Sequence, residues 1–214
     1  MILRKRGLCV SVPIALLFWG ITSCQKQTDF AGSASSQTQD TIITLPSVPV
    51  VKYTSYTIPA GAQYCEQEHF ETIATNAIYF TVLFDSSAVY TTKNTSNQAD
   101  INKLYGFSDN RAHHHSFSAR FGWRWYNNKL TLHGYIYNDS VREYKELGAI
   151  AIGKPARCAI LVRKDQYAFV LNGDTTHMRR TSKTDRAEGY RLYPYFGGDE
   201  YAPHKITIQI REDE

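Results

Sequence analysis

At 214 residues, with 43% hydrophobic and 21% charged side chains, the chain has the make-up of one globular domain rather than of a disordered polymer. The net charge of +4 is concentrated at the start: Arg4, Lys5 and Arg6 lie within residues 1–23, which hold no acid. The remainder balances 21 basic against 20 acidic residues, which excludes the broad basic surface of a nucleic-acid binder. Fifteen Tyr against ten Phe means many rings with one apolar face and one wet edge, suited to half-buried strands and to sugar-binding surfaces.

The first 23 residues predict a signal peptide. A basic start is followed by an apolar run from Leu8 to Ile21, too short for a membrane span of about 20 apolar residues. The run ends in Ile21-Thr22-Ser23-Cys24, which resembles the lipobox of bacterial lipoproteins. That resemblance implies that Cys24 carries the lipid, that the chain is anchored in the cell envelope at the outer membrane, and that the membrane is a partner; the face it projects from stays open. Residues 24–52 read as a tether, because Ser, Thr and Gln dominate and Pro46 and Pro49 interrupt them. Cys9 leaves with the leader and Cys24 is acylated, so Cys65 and Cys158 remain as one pair in an oxidising compartment. A disulfide between them is expected, closing a loop of about 90 residues worth on the order of 4 kcal/mol.

Residues 53–214 read as an all-β domain. "AIYFTVLF" (77–84) alternates Ile78, Phe80, Val82 and Phe84 against Tyr79, Thr81 and Leu83. "HSFSARFGWRW" (115–125) sets Phe117, Ala119, Phe121, Trp123 and Trp125 against Ser116, Ser118, Arg120 and Arg124. After an Asn127-Asn128 turn, "KLTLHGYIY" (129–137) sets Leu130, Leu132 and Ile136 against Thr131, His133, Tyr135 and Tyr137. Shorter runs are "YTSYTI", "KLYGF", "ELGAIAI", "CAILV", "YAFVL", "YRLYPYF" and "KITIQI", with further turn signals at Lys164-Asp165, Asn172-Gly173 and Gly197-Gly198. In "YRLYPYF" the spacing predicts Tyr193 and Tyr195 on one face, with Leu192 and Phe196 on the other. About ten short strands without helical periodicity predict a two-sheet antiparallel β-sandwich, with the polar stretch 85–102 at its rim.

"CAILVRKDQYAFVLNGDTTH" and "YRLYPYFGG", with the final "ITIQI", resemble the hairpins and last strand pair of concanavalin A-like lectin/glucanase jelly rolls. The likeness touches most of residues 65–214 and consists of hairpins and corners rather than an active-site signature. The chain also resembles lipoproteins of Bacteroidetes type.

The candidate site is the polar face of the hairpin: Arg120 and Arg124 with His133, Tyr135 and Tyr137. Rings stack on the apolar faces of sugars while guanidinium groups donate to hydroxyls or carboxylates, so a glycan is the expected ligand. A solvated outer face carrying ordinary cross-strand pairs is the alternative. A second functional reading is a polysaccharide lyase, in which Arg120 neutralises a uronate carboxylate and His133 or Tyr135 moves the proton. The Gln-Ile-His signature of alginate-lyase-like members is absent, however, and so is the Glu-x-Asp-x-x-Glu of the glucanases; Glu143 and Glu146 fall on opposite faces of a strand. A third reading is a structural or protein-interaction lipoprotein. No cofactor is expected. Metal candidates are His113 and His115, which share a face if they lie in a strand, with His204 or Asp109 as an unplaced third ligand, and Asp199 or Glu200 for a structural calcium.

Overall fold

The computed structural model describes residues 52–214; the leader, Cys24 and residues 25–51 lie outside the described residues. Twelve strands follow in chain order. They are β1 (Thr54–Ile58), β2 (Thr72–Thr75), β3 (Ala77–Phe84), β4 (Asn102–Ser108), β5 (Ser118–Tyr126) and β6 (Lys129–Asn138), then β7 (Val141–Ile150), β8 (Ala156–Val162), β9 (Gln166–Leu171), β10 (Asp174–Arg179), β11 (Ala187–Leu192) and β12 (Ile206–Asp213). They form two antiparallel six-stranded sheets, ordered β1-β12-β3-β8-β9-β10 and β2-β11-β4-β5-β6-β7. This is the β-sandwich that the alternating pattern predicts.

Alternation builds the sandwich because one face of each strand must leave water. Phe80, Val82 and Phe84 from β3 meet Phe121 and Trp123 from β5, Leu132 and Ile136 from β6, and Phe169 from β9. The rings pack edge to face, Phe80 against Phe121 and Phe121 against Phe169, each at 5.4 Å between centroids. Three two-residue turns close the long hairpins: Asn127-Asn128, Asp139-Ser140 and Asn172-Gly173, all with positive φ at both positions. That geometry matches the right-handed twist of the flanking strands.

A buried ion pair ties the sheets together at one end. Asp109, just after β4, accepts from Tyr167 Oη of β9 at 2.6 Å and from Arg180 Nε, just after β10, at 2.8 Å. Both charged side chains are fully buried. The two N–H groups of Arg180 Nη2 are shared among Asp109 Oδ1, the Ser182 and Thr184 hydroxyls and the Arg186 carbonyl. Burial alone would raise the Asp109 pKa, but the donors from Arg180 and Tyr167 outweigh it and hold the carboxyl below its ordinary value.

The structure corrects several expectations. Cys65 and Cys158 are buried free thiols, not a disulfide. Cys65 is held beside β1 by the Glu66 N–H to Thr57 carbonyl bond, whereas Cys158 lies in β8, three strand spacings away in the same sheet. At about 4.8 Å per spacing that is roughly 14 Å, twice the reach of a bridge. Tyr193 and Tyr195 do not share a face. β11 ends at Leu192, Tyr193 turns into the core beside Tyr56 and Tyr105, and Pro194 interrupts the strand. Pairing resumes at Tyr195, whose N–H and carbonyl both bond Lys103 of β4. Of the two corner glycines only Gly197 has a positive φ, +151°; at Gly198 a β-carbon would collide with the Asp100 carboxylate.

Candidate functional site

The register of the β5–β6 hairpin sets Arg120 directly opposite Tyr135, with Gly106 of β4 on its other side. Phe121, Trp123, Leu132 and Ile136 take the inward positions, so Arg120 and Tyr135 face outward from the second sheet. A β-carbon at Gly106 would collide with that of Arg120, so glycine there gives the arginine its seat.

Outward does not mean exposed. Residues 99–103, at the start of β4, and 192–199, from the end of β11 onward, line a two-part cleft beside this face. One part, about 360 Å³, is lined by Glu68, Lys103, His114, His115, Arg120 and Tyr195, with Leu192 and Tyr193. The other, about 220 Å³, is lined by Lys103, Tyr135, Arg142, Tyr144, Asp100 and Asp199. Lys103 and Gly198 belong to both, so the two parts adjoin.

The cleft carries both signs, with Lys103, Arg120 and Arg142 set among Glu68, Asp100 and Asp199, but none of these groups pairs with another within 4 Å. Arg120 is 6% exposed, and its guanidinium lies 5.7 Å from the Tyr135 ring centroid. Among the described residues it makes no ion pair, and its Nε finds no hydrogen-bond acceptor. Burial pushes its pKa down to about 10. Lys103 Nζ donates to the Gly197 carbonyl at 2.8 Å and has no carboxylate partner either. Burial, then repulsion from Arg120 and Arg142, lowers its pKa to about 8. Burial first, and then the Arg120 charge and the neighbouring histidines, hold His114 down to about 3. Burial, His113, Arg120 and Lys103 lower His115 too. A buried charge is normally paired or hydrogen-bonded, so the unpaired Arg120 makes this part of the cleft the candidate contact for an anion.

A larger, more open depression lies at the β2 edge, lined by Phe70, Arg111, Arg186 and Glu188. Its charges answer one another: Arg111 and Arg186 both reach the Glu188 carboxylate, at 2.6 and 3.6 Å. It therefore exerts no comparable pull on an anion, and the cleft around Arg120 is the stronger candidate.

The expected site residues divide. Arg120 and Tyr135 line the cleft, the tyrosine only 3% exposed yet outside the core between the sheets. Tyr137 is half-buried, its ring 6.0 Å from Tyr135 and 5.4 Å from His115. Arg124 is engaged elsewhere, donating to the Ala99 carbonyl at 2.9 Å and to Glu146 at 3.4 Å. His133 is 1% exposed, contacts Thr131 Oγ1 at 3.0 Å and lines neither part of the cleft. Ile101 fills the space over Gly122, the register partner of His133. Burial, then the Arg124 charge, lowers the His133 pKa to about 4.

The metal candidates divide as well. His113 and His115 lie in a turn before β5 rather than in a strand, and His114 joins them: one ring nitrogen of each lies within 4.8 Å of the others. Asp109 is spent on Arg180, and His204 Nε2 meets the Ser87 carbonyl at 2.8 Å, so neither reaches them as a third ligand. Glu200 accepts from the Asn94 N–H and from Asn97, clasping two loops, while Asp199 lines the cleft. The sequence reading passed over Lys103, His114 and Tyr195. Lys103 faces the cleft across a register shift between Lys103 and Gly106 that a regular alternation does not show.

The fold and cleft together define a class: an antiparallel β-sandwich with a tyrosine-lined cleft of mixed charge on the outer face of one sheet. No protein-family model and no curated protein matches the chain. Among solved structures it is similar to the alginate lyase AlyC3, at 10% identity and TM-score 0.49 over 74% of this chain and 72% of that one. It is also similar to the marine PL7 alginate lyase AlyA1 from Zobellia galactanivorans, at 10% identity and TM-score 0.40 over 75% and 65%. A third is the carbohydrate-binding module CBM66 from Bacillus subtilis, at 6% identity and TM-score 0.37 over 69% and 81%.

Proposed function

We propose that this chain is a carbohydrate-binding envelope lipoprotein whose cleft takes an acidic glycan without catalysis. The observation that carries the reading is Arg120: a buried guanidinium, seated on Tyr135, with no carboxylate among the described residues within ion-pair distance. A uronate or similar acidic sugar supplies that carboxylate, and charge-assisted bonds to guanidinium are the strong ones. Tyr195 beside Arg120 and Tyr144 in the adjoining part offer ring faces to successive sugars. A cleft in two adjoining parts suits a polymer better than a lone small anion. The lyase reading has less support, because His133, one of its proton-moving candidates, is sealed from the cleft.

A glycan array spanning acidic and neutral polysaccharides tests the reading. Binding is expected on acidic glycans only, weakened by salt and lost in Arg120→Ala. Incubation of each hit with the protein, followed by ultraviolet absorbance of unsaturated sugar products, separates binding from lyase action. Failure to bind any glycan would leave a structural or protein-interaction role.

The location is part of the same proposal and rests on the leader. With a basic start, a short apolar run and Ile21-Thr22-Ser23-Cys24, the thiol of Cys24 is the acyl acceptor, and residues 24–52 tether the domain to the outer membrane. Cys24→Ala should abolish incorporation of labelled palmitate; equal labelling of variant and parent would sink the anchor.

A further inference from the structure

We propose that His113, His114 and His115 form a binding site for a divalent transition-metal ion, Zn²⁺ in the first place, on the wall of the cleft. The site stands apart from the glycan reading, which needs no cofactor.

Three successive histidines converge here rather than diverge. Ser116 and Phe117 both donate to the His113 carbonyl, at 2.8 and 3.1 Å, which winds the backbone into a tight turn. Ring centroids lie 4.3 Å apart for His113 and His114, 4.4 Å for His114 and His115, and 5.1 Å for His113 and His115. One nitrogen from each ring lies within 4.8 Å of its counterparts. Bonds of about 2.0–2.1 Å to one tetrahedral ion place nitrogens about 3.3 Å apart, so each ring has to move inward by less than about 1 Å. His113 and His115 are exposed, which leaves them room for that movement.

The half-buried member is already oriented. The Tyr190 hydroxyl lies 2.9 Å from His114 Nδ1 and also accepts from the His114 backbone N–H at 3.1 Å. With two lone pairs it accommodates both donors; Nδ1 then carries the proton and Nε2 keeps its lone pair for an ion. Outer-shell acceptors of this kind fix ligating histidines in metal sites. Three neutral imidazoles with no carboxylate or thiolate favour Zn²⁺, Cu²⁺ or Ni²⁺ over calcium or magnesium.

Two of the three rings line the part of the cleft that holds Arg120 and Lys103. A fourth coordination position is left for water or for an anion in the cleft. The Arg120 and Lys103 charges oppose a bare dication, so a bound anion and a bound metal should strengthen one another, reciprocally.

The test is calorimetric titration of the purified chain, carrying no histidine tag, with Zn²⁺, alongside visible spectra with Co²⁺ as a reporter of coordination. One ion per chain is expected, with Co²⁺ bands of a four-coordinate site. His113→Ala and His115→Ala, both at exposed positions, should each weaken binding by at least about tenfold, and Tyr190→Phe by about tenfold. Arg120→Ala should tighten it. Circular dichroism checks that each variant folds. No binding of either ion, or Zn²⁺ affinity unchanged in both His113→Ala and His115→Ala, overturns the site. An affinity that Arg120→Ala leaves unmoved overturns its placement on the shared wall.

Discussion

Arg120→Met should make the protein more stable while abolishing its binding of acidic glycans. Methionine is unbranched, similar in length and flexible enough to fill the same space. Burial lowers the arginine pKa from its ordinary value to about 10, which at about 1.4 kcal/mol per pH unit opposes folding by roughly 3 kcal/mol. The folded value lies below the unfolded one, so the penalty is complete at every pH under about 10 and eases only as the pH climbs from there to the ordinary arginine value. Against it stands the stacking of the guanidinium on Tyr135, on the order of 1 kcal/mol, which the variant forfeits. The net gain is about 2 kcal/mol, or a rise in Tm of roughly 4–8 °C for a domain of this size. Scanning calorimetry and urea titration both read it. An acidic glycan at a hundredfold excess over its Kd should add about 2.7 kcal/mol to the parent and nothing to the variant. If Arg120→Met melts below the parent, the arginine is a structural member and the inference of an anion contact fails.

Asp109→Asn should destabilise the fold by about 3–5 kcal/mol in urea titration, because it leaves Arg180 charged and buried without a counterion; a loss under about 1 kcal/mol would contradict this. In the parent, the stability held by the depressed Asp109 pKa is present above its ordinary value of 3.8 and lost as pH falls through the lower folded value, so acid unfolding should set in below pH 4 and come earlier for the parent than its margin over Asp109→Asn at pH 7 implies. Lys103 is charged below a pKa of about 8, so affinity for an acidic glycan should decline as pH rises from 7 to 9 and hold steady in Lys103→Arg; a flat profile in the parent would count against a charged role for Lys103. Cys65, whose thiol burial pushes up to about 11, and Cys158, raised by burial as well, should resist iodoacetamide in the native protein and both react in denaturant without reductant; a bridged peptide in non-reducing mass spectrometry would refute the free thiols.

The sequence shows the sandwich where alternation is strict and local. β3, β5 and β6 each bury one face, so a one-residue slip would expose every core ring, and the Asn127-Asn128 turn then fixes the partner of every residue in the hairpin. Arg120 and Tyr135 are legible as a pair for that reason. β2 is not legible, because "TIAT" is four residues long and takes its place by pairing with β11, more than a hundred residues later. Sheet order is equally silent, and it separates Cys65 from Cys158. Within the site, His133 reads as an outward residue and is one; only Ile101, from a loop thirty residues earlier, decides that outward means sealed. His114 stays hidden because a strand through 113–115 would point it away from its neighbours, and a turn does the reverse. Lys103 and Tyr195 meet only because pairing restarts after Pro194.

The Asp109–Arg180 pair also bears on how long the folded protein lasts. The two residues are 71 apart in sequence, and each sits beyond the end of a strand in a different sheet. Until the sheets close over them both charges stay hydrated, so their bond is expected to form late, with a φ-value near zero for Asp109→Asn. An interaction absent from the transition state leaves the folding rate alone and slows unfolding instead. Opening that end of the sandwich would strand a carboxylate and a guanidinium in a half-dry gap, which discourages local fraying and ties the end to global unfolding. The pair therefore acts as a latch in time: slow to let go, and of no help in closing.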